Sequence, residues 1–188
     1  KQPYVTVQLE DDDVPLQIQM EAYTPFIPLD ADNSGIPMAA IRYHVANPTP
    51  EPIEVSVAGT MANVVGFDGY DVFNNVKLVD EVENEYREQN GLKGWYYKAK
   101  NLKPDHMKFG SMSISTTENN HVSHKKWLHG QWTDNAQDFW DDFMSDGLFD
   151  EEQQIASKGC DLLEHYDFSF LNLKEQISSV GSKVTLMP

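Results

Sequence analysis

The segment from Pro25 to Val57 limits this chain's fold more than any other. Ile41, Tyr43 and Val45 alternate with Arg42, His44 and Ala46, and Ile53, Val55 and Val57 alternate with Glu54, Ser56 and Ala58. A period of two puts one row on a core and the other toward water, the pattern of a half-buried strand. Between the runs lies Asn47-Pro48-Thr49-Pro50-Glu51-Pro52. Prolines donate no ladder hydrogen bond, so this piece must leave the sheet and turn. Upstream, Val14, Leu16, Ile18 and Met20 alternate with Pro15, Gln17, Gln19 and Glu21. Successive half-buried strands predict an antiparallel sheet with one wet face.

Size and charge narrow the possibilities. A chain of 188 residues makes one generous domain or two cramped ones, and at this length folding buries about 70% of the unfolded surface. The single cysteine, Cys160, excludes an internal disulfide and a cysteine-based zinc cage; it reads as a small buried hydrophobe. The formal net charge of −16 argues against nucleic acid and anionic membranes, which need clustered Lys and Arg. A neutral partner such as a sugar remains compatible. No stretch approaches the ~20 apolar residues of a membrane-spanning helix. Lys1 in place of Met reads as a processed or partial chain, and the apolar Val184–Met187 run predicts a fold that continues past Pro188. The compartment is left open.

Along the chain, strands are expected near 3–9, 14–23, 38–46 and 52–65, with a turn at Asp11–Asp13. Leu78, Val82 and Tyr86 recur at i, i+4 and i+8, which predicts a short helix. Asn90-Gly91 marks a turn before an aromatic strand, Leu92–Lys98, and Met112 and Ile114 begin another. Residues 118–134 read as a long loop. A helix follows, capped by Asp134, with Gln137 three residues on, a stripe of Phe139, Trp140, Phe143 and Met144, and a stop at Gly147. Asp150–Lys158 reads as loop or frayed helix. Ile177–Met187 returns to strand, with Gly181 as a bulge or turn. The fold class is mainly β: one antiparallel β-sandwich domain over 1–188, supersandwich-like, with one or two inserted helices.

Several of these segments also resemble a known family. Pro25-Phe26-Ile27-Pro28-Leu29-Asp30-Ala31-Asp32-Asn33-Ser34-Gly35-Ile36-Pro37, then a strand and the proline turn, resembles the N-terminal domain of glycoside hydrolase family 116, the family of non-lysosomal glucosylceramidase (bile-acid β-glucosidase) and bacterial β-glucosidases. Gly91–Gly94, Phe109–Met112, the run Trp132–Phe143 with Asp146-Gly147-Leu148, and Lys183–Pro188 resemble further family segments in the same order. The stretch between Phe73 and Gln89 and the surroundings of His121–His129 match nothing. The resemblance implies a two-domain retaining enzyme, whose N-terminal sandwich leans on a C-terminal (α/α)6 catalytic barrel acting on a β-glucoside or glucosylated lipid. In such enzymes a nucleophilic carboxylate and an acid/base stand ~5 Å apart, and in this family both lie on the barrel. No catalytic residue is therefore assigned in this chain, and no cofactor.

The remaining constellations have ordinary explanations. Asp141-Asp142 and Asp150-Glu151-Glu152 are pairs that arise freely among 30 acidic residues, and a glycosidase pair must converge across a cleft. Asp30, Asp32 and Ser34, with Gly35, resemble the front of a calcium loop, yet position 12 would be Ile41, which lacks a carboxylate; an Asx-type turn accounts for the same residues. His121, His124 and His129 have no ligand-like spacing and read as surface loop. Trp127 and Trp132 share that loop, and their flat faces could stack on a sugar, since long sandwich loops can reach a neighbouring site; Trp132 packing under the following helix is the alternative. Trp95 and Trp140 read as core or domain interface. The Leu92–Tyr97 strand and the Phe139/Phe143 stripe are expected to cover a partner, leaving an exposed apolar patch of several hundred Å² on this chain alone. Three functions compete: accessory domain of a glycosidase, stand-alone carbohydrate-binding sandwich, and structural or adhesion module without ligand. An apolar interface and an unfinished sheet would mark the first, and a shallow aromatic groove the second.

Overall fold

The computed structural model describes residues 4–72, 76–119, 121–125, 134–147, 168–177 and 182–187. The first three strands form a meander: β1 (Tyr4–Leu9), β2 (Gln17–Tyr23) and β3 (Ala40–Ala46) pair antiparallel, with Tyr4 opposite Tyr23 and Gln17 opposite Ala46. β2 starts at Gln17 and not Val14, because Asp11 closes a turn over the intervening residues. Its carboxylate accepts from Asp13 N–H at 2.9 Å and its carbonyl from Val14 N–H at 3.2 Å.

The proline turn behaves as expected, with an addition. The buried Asn47 amide donates to Glu51 O at 2.7 Å, while its oxygen accepts from Thr49 N–H at 2.9 Å. Prolines take this segment out of the sheet, and Asn47 supplies the hydrogen bonds they cannot make. β4 (Ile53–Ala62) then leads into a second sheet. The alternation of β3 is blurred, since Arg42 and His44 on its polar row are also half-buried. Glu21, opposite Arg42 on β2, explains this: its carboxylate lies 3.6 Å from Arg42 and 3.0 Å from His44.

The helix expected around Leu78–Tyr86 is a strand instead. β5 (Phe67–Tyr70) and β6 (Val76–Leu78) form a small hairpin-like pair, and β7 (Val82–Gln89) runs antiparallel to β8 (Leu92–Ala99). Spacings of four fit a helix face, but four is also an even number, so a strand puts Val82, Asn84 and Tyr86 in one row. Asn90 (φ 54°) and Gly91 (φ 81°) decide between the two: both are left-handed, as a two-residue hairpin turn requires, and they set Gln89 opposite Leu92. β9 (Ser111–Thr116) continues on β8. Within the expected loop 118–134, β10 (Val122–His124) forms a short strand.

The C-terminal third also differs from expectation. β11 (Phe168–Ile177) and β12 (Ser182–Met187) are separate strands in different sheets, so the chain changes sheets after Ile177. Gly181 and the stretch Asp150–Lys158 lie outside the described residues. Besides the two-stranded β5-β6 sheet, the described strands form a seven-stranded antiparallel sheet, ordered β1-β2-β3-β12-β9-β8-β7, and a three-stranded one, ordered β10-β11-β4. Two helices accompany them, α1 (Ala31–Ser34) and α2 (Asp134–Asp146). The fold is mainly β, with antiparallel sheets that do not close into a barrel.

The sheets meet over a core of Val65, Trp95, Tyr97 and Ile114, with Met61 of β4 packed against it. Trp95 and Tyr97 point inward from β8, and Tyr97 is fully buried. Removing either ring would cost about 3–5 kcal/mol. Gly94, just before Trp95, faces the opposite way, and a Cβ there would sit 2.1 Å from Ile114 O, so β8 and β9 close only over glycine. The Leu92–Tyr97 strand thus packs its two inward rings, Trp95 and Tyr97, within this domain, while Tyr96 lies on its opposite row.

Candidate functional site

Three parts of the molecule carry the residues that the sequence singles out. The first is the loop from Pro25 to Pro37. Asp30 caps α1, and its carboxylate accepts from Asn33 N–H at 3.0 Å and from Asn33 Nδ2 at 2.6 Å. These bonds, the side-chain one foremost, hold Asp30 below the usual carboxylate range. Ser34 Oγ accepts from Ile27 N–H at 2.8 Å and donates to Ile27 O at 2.9 Å, tying the loop across its base. The expected turn is therefore a one-turn helix cinched by Asp30 and Ser34, with Asp32 exposed in its first turn. Among the described residues no three His, Cys, Asp or Glu side chains are grouped to hold a metal ion. The loop forms one side of a cleft of about 640 Å³, opposite Tyr96 and Ser111–Ser113.

The second is the root of the segment bearing the histidines and tryptophans. His121 Nε2 lies 2.8 Å from the Tyr86 hydroxyl, and the two rings stack at 6.1 Å. The Tyr86 hydroxyl also donates to Glu88 at 3.1 Å. Burial, then Glu88, pushes Tyr86 up to about 12. Further along, buried Asn84 donates to Lys125 O at 2.9 Å and accepts from buried Asn63 Nδ2 at 2.9 Å. Asn63 reaches across from the end of β4 to Glu83 O and Lys98 O. This amide pair fastens residues 121–125 to β7, and sequence reading passed over it because a buried Asn looks like any polar residue in an alternating run. His124 contributes main chain to β10, opposite Phe170. Trp127, His129 and Trp132 lie outside the described residues.

The third is α2. The expected stripe divides in two. Phe139 is 7% exposed and packs on Ala58 of β4 beside Phe143. Trp140 at 55% and Met144 at 69% exposure face outward. Gly147 (φ 75°) ends the helix, its N–H donating to Phe143 O at 2.8 Å. A Cβ on Gly147 would lie 2.4 Å from Ser56 Oγ, so the helix end is pressed onto β4. Trp95 is core, whereas Trp140 is surface.

The described residues thus define an antiparallel β domain that fastens a helix to its smaller sheet and keeps two large apolar side chains of that helix in solvent. Over residues 1–188 the chain matches the family model described as beta-glucosidase 2, glycosyl-hydrolase family 116 N-term, and it belongs to that family as its N-terminal domain. The glycosidase assignment follows, and an N-terminal domain of this kind implies a C-terminal catalytic domain as partner. No curated protein matches the chain.

Proposed function

We propose that this chain is the non-catalytic N-terminal domain of a retaining β-glucosidase or glucosylceramidase-like hydrolase, and that it braces an (α/α)6 catalytic barrel following it in sequence. The observation that carries this reading is the outward pair Trp140 and Met144 on a helix whose other side is anchored by Phe139. Large apolar side chains left in water on a rigid helix are what a protein interface uses as anchors. The nucleophile and the acid/base belong to the barrel, where both carboxylates converge on the anomeric carbon of a β-glucoside or glucosylated lipid. Trp127 and Trp132 belong to a loop lent to that sugar site, and the pinning of 121–125 by Asn84 and Tyr86 supports a fixed root for such a loop.

The test compares turnover of an aryl β-glucoside by residues 1–188 and by the whole enzyme. The whole enzyme is expected to turn over and the 188 residues alone to give none; turnover by the latter would sink the reading. In the whole enzyme, Trp127→Ala or Trp132→Ala is expected to lower kcat/KM about tenfold, the loss of roughly 1.4 kcal/mol of transition-state binding, with Tm unchanged.

A further inference from the structure

The turn from Ile27 to Asp30 holds a strained residue whose side chain lies wholly in solvent. Asp30 N–H donates to Ile27 O at 3.0 Å, closing a β-turn with Pro28 and Leu29 at its centre. Leu29 sits at φ 67°. Proline cannot take a positive φ, so the turn is of type II, whose third position favours glycine or asparagine. A leucine there carries backbone strain that either of those would relieve. The strain is not offset by packing within this domain, since Leu29 is 107% exposed, as open as in an extended peptide.

The tip is also stiff. Ile27 is tied to Ser34 Oγ through both its N–H and its carbonyl, and Asp30 caps α1 through Asn33. Both ends of the turn are therefore fixed, and Pro28 fixes its middle. Phe26, Ile27 and Ile36 of the same loop are half-exposed. Single exposed apolar residues are ordinary, but four large ones on one stiff loop make a presented surface. Leu29 does not line the cleft beside the loop, so the tip projects from the domain.

We propose that the Ile27–Asp30 tip, led by Leu29, is a plug that seats in an apolar socket on the catalytic domain of the same enzyme. The inference rests on the reading of this chain as an accessory domain, and it gives that domain a second anchor besides α2. A projecting tip offers a small molecule no enclosure, which ligand sites require. Four side chains, three of them half-covered, present well under the ~800 Å² per partner of a stable complex between free proteins. A domain joined through the chain faces no such threshold, because its effective concentration is already high. Tip-to-tip pairing of two copies would bring Asp30 and Asp32 of both together, and the same carboxylates repel an anionic lipid surface. Those two acids ask for Lys or Arg on the rim of the socket.

The test uses the whole enzyme with a photo-cross-linking benzoylphenylalanine in place of Leu29. Irradiation is expected to join position 29 to an apolar peptide of the catalytic domain, flanked by Lys or Arg, within one chain. Cross-links only between two copies, only to added phosphatidylcholine vesicles, or to nothing would overturn the proposal. Leu29→Gly tests it without a bulky probe. Glycine relieves the left-handed strain, so a tip that met only solvent would leave the melting temperature of the whole enzyme unchanged or raised. Seating in a socket predicts the opposite sign, a fall of about 2–4 °C. If Trp140→Ser with Met144→Ser splits the thermal transition while Leu29→Gly does not lower it, the plug falls and the accessory-domain reading stands. If residues 1–188 alone turn over an aryl β-glucoside, that reading falls and takes the plug with it.

Discussion

At the scale of single residues, the consequential groups are polar side chains that make main-chain hydrogen bonds. Asn84 illustrates the cost of losing one. With Asn84→Ala, Lys125 O and one Asn63 Nδ2 hydrogen lose a partner in a buried setting, which destabilises by about 1–3 kcal/mol. Urea unfolding should show it as a lower midpoint at unchanged slope. Glu85 sets a different expectation. Arg87 first, then Lys98, holds its carboxyl at about 2, while Arg87 itself lies over the Tyr96 ring at 3.6 Å. A depressed folded value means that its contribution is present above the ordinary carboxylate range and is lost as pH falls from about 4.5 toward 2. Glu21, Asp30, Asp68 and Asp80 are shifted in the same direction. Glu85→Gln should therefore flatten the acid limb of a stability-against-pH curve without abolishing it, and a limb unchanged by that substitution would remove Glu85 from the account. Asn84 was not legible as structural, because alternation treats it as solvent-facing and registers no partner 21 or 41 residues away.

At the scale of elements, strands whose rows hold a single chemistry were legible and those whose rows change were not. β2, β3, β4 and β8 follow their alternation closely enough to be placed within a few residues. β7 was hidden by Asn84, which breaks an apolar row that otherwise runs through Val82 and Tyr86. β11 has Phe168 and Phe170 in one row and Leu171, Leu173 and Ile177 in the other, so its pattern switches sides halfway. α2 was legible through its cap residues and Gly147, but its stripe could not reveal which half meets β4. Gly147 makes that contact testable. Gly147→Ala meets a left-handed φ of 75°, costing roughly 1–2 kcal/mol, and a Cβ pressed on Ser56. Ser56→Gly in the same chain would relieve the contact but not the backbone strain. The double variant is expected to recover only part of the lost Tm, and full recovery would show that sterics alone set the stop.

At the scale of the whole molecule, strand order was beyond reach. A strand from the C-terminus takes its place between β3 and β9, more than sixty residues from either, and no local pattern encodes that register. Docking depends on the same scale, because it decides what covers α2. Phe139 already anchors the helix on Ala58, so its outer side chains contribute little to this domain's own stability. Trp140→Ser with Met144→Ser should change the unfolding free energy of residues 1–188 by no more than about 0.5 kcal/mol, as for exposed positions generally. In the whole enzyme the same pair should weaken cohesion with the catalytic domain by about 2–4 kcal/mol, the worth of two large side chains taken out of water. That difference should appear as a split thermal transition, with the domains melting separately where the parent melts as one unit. A single transition retained at the parent temperature would show that α2 faces solvent in the assembled enzyme, and would shift the brace to another surface.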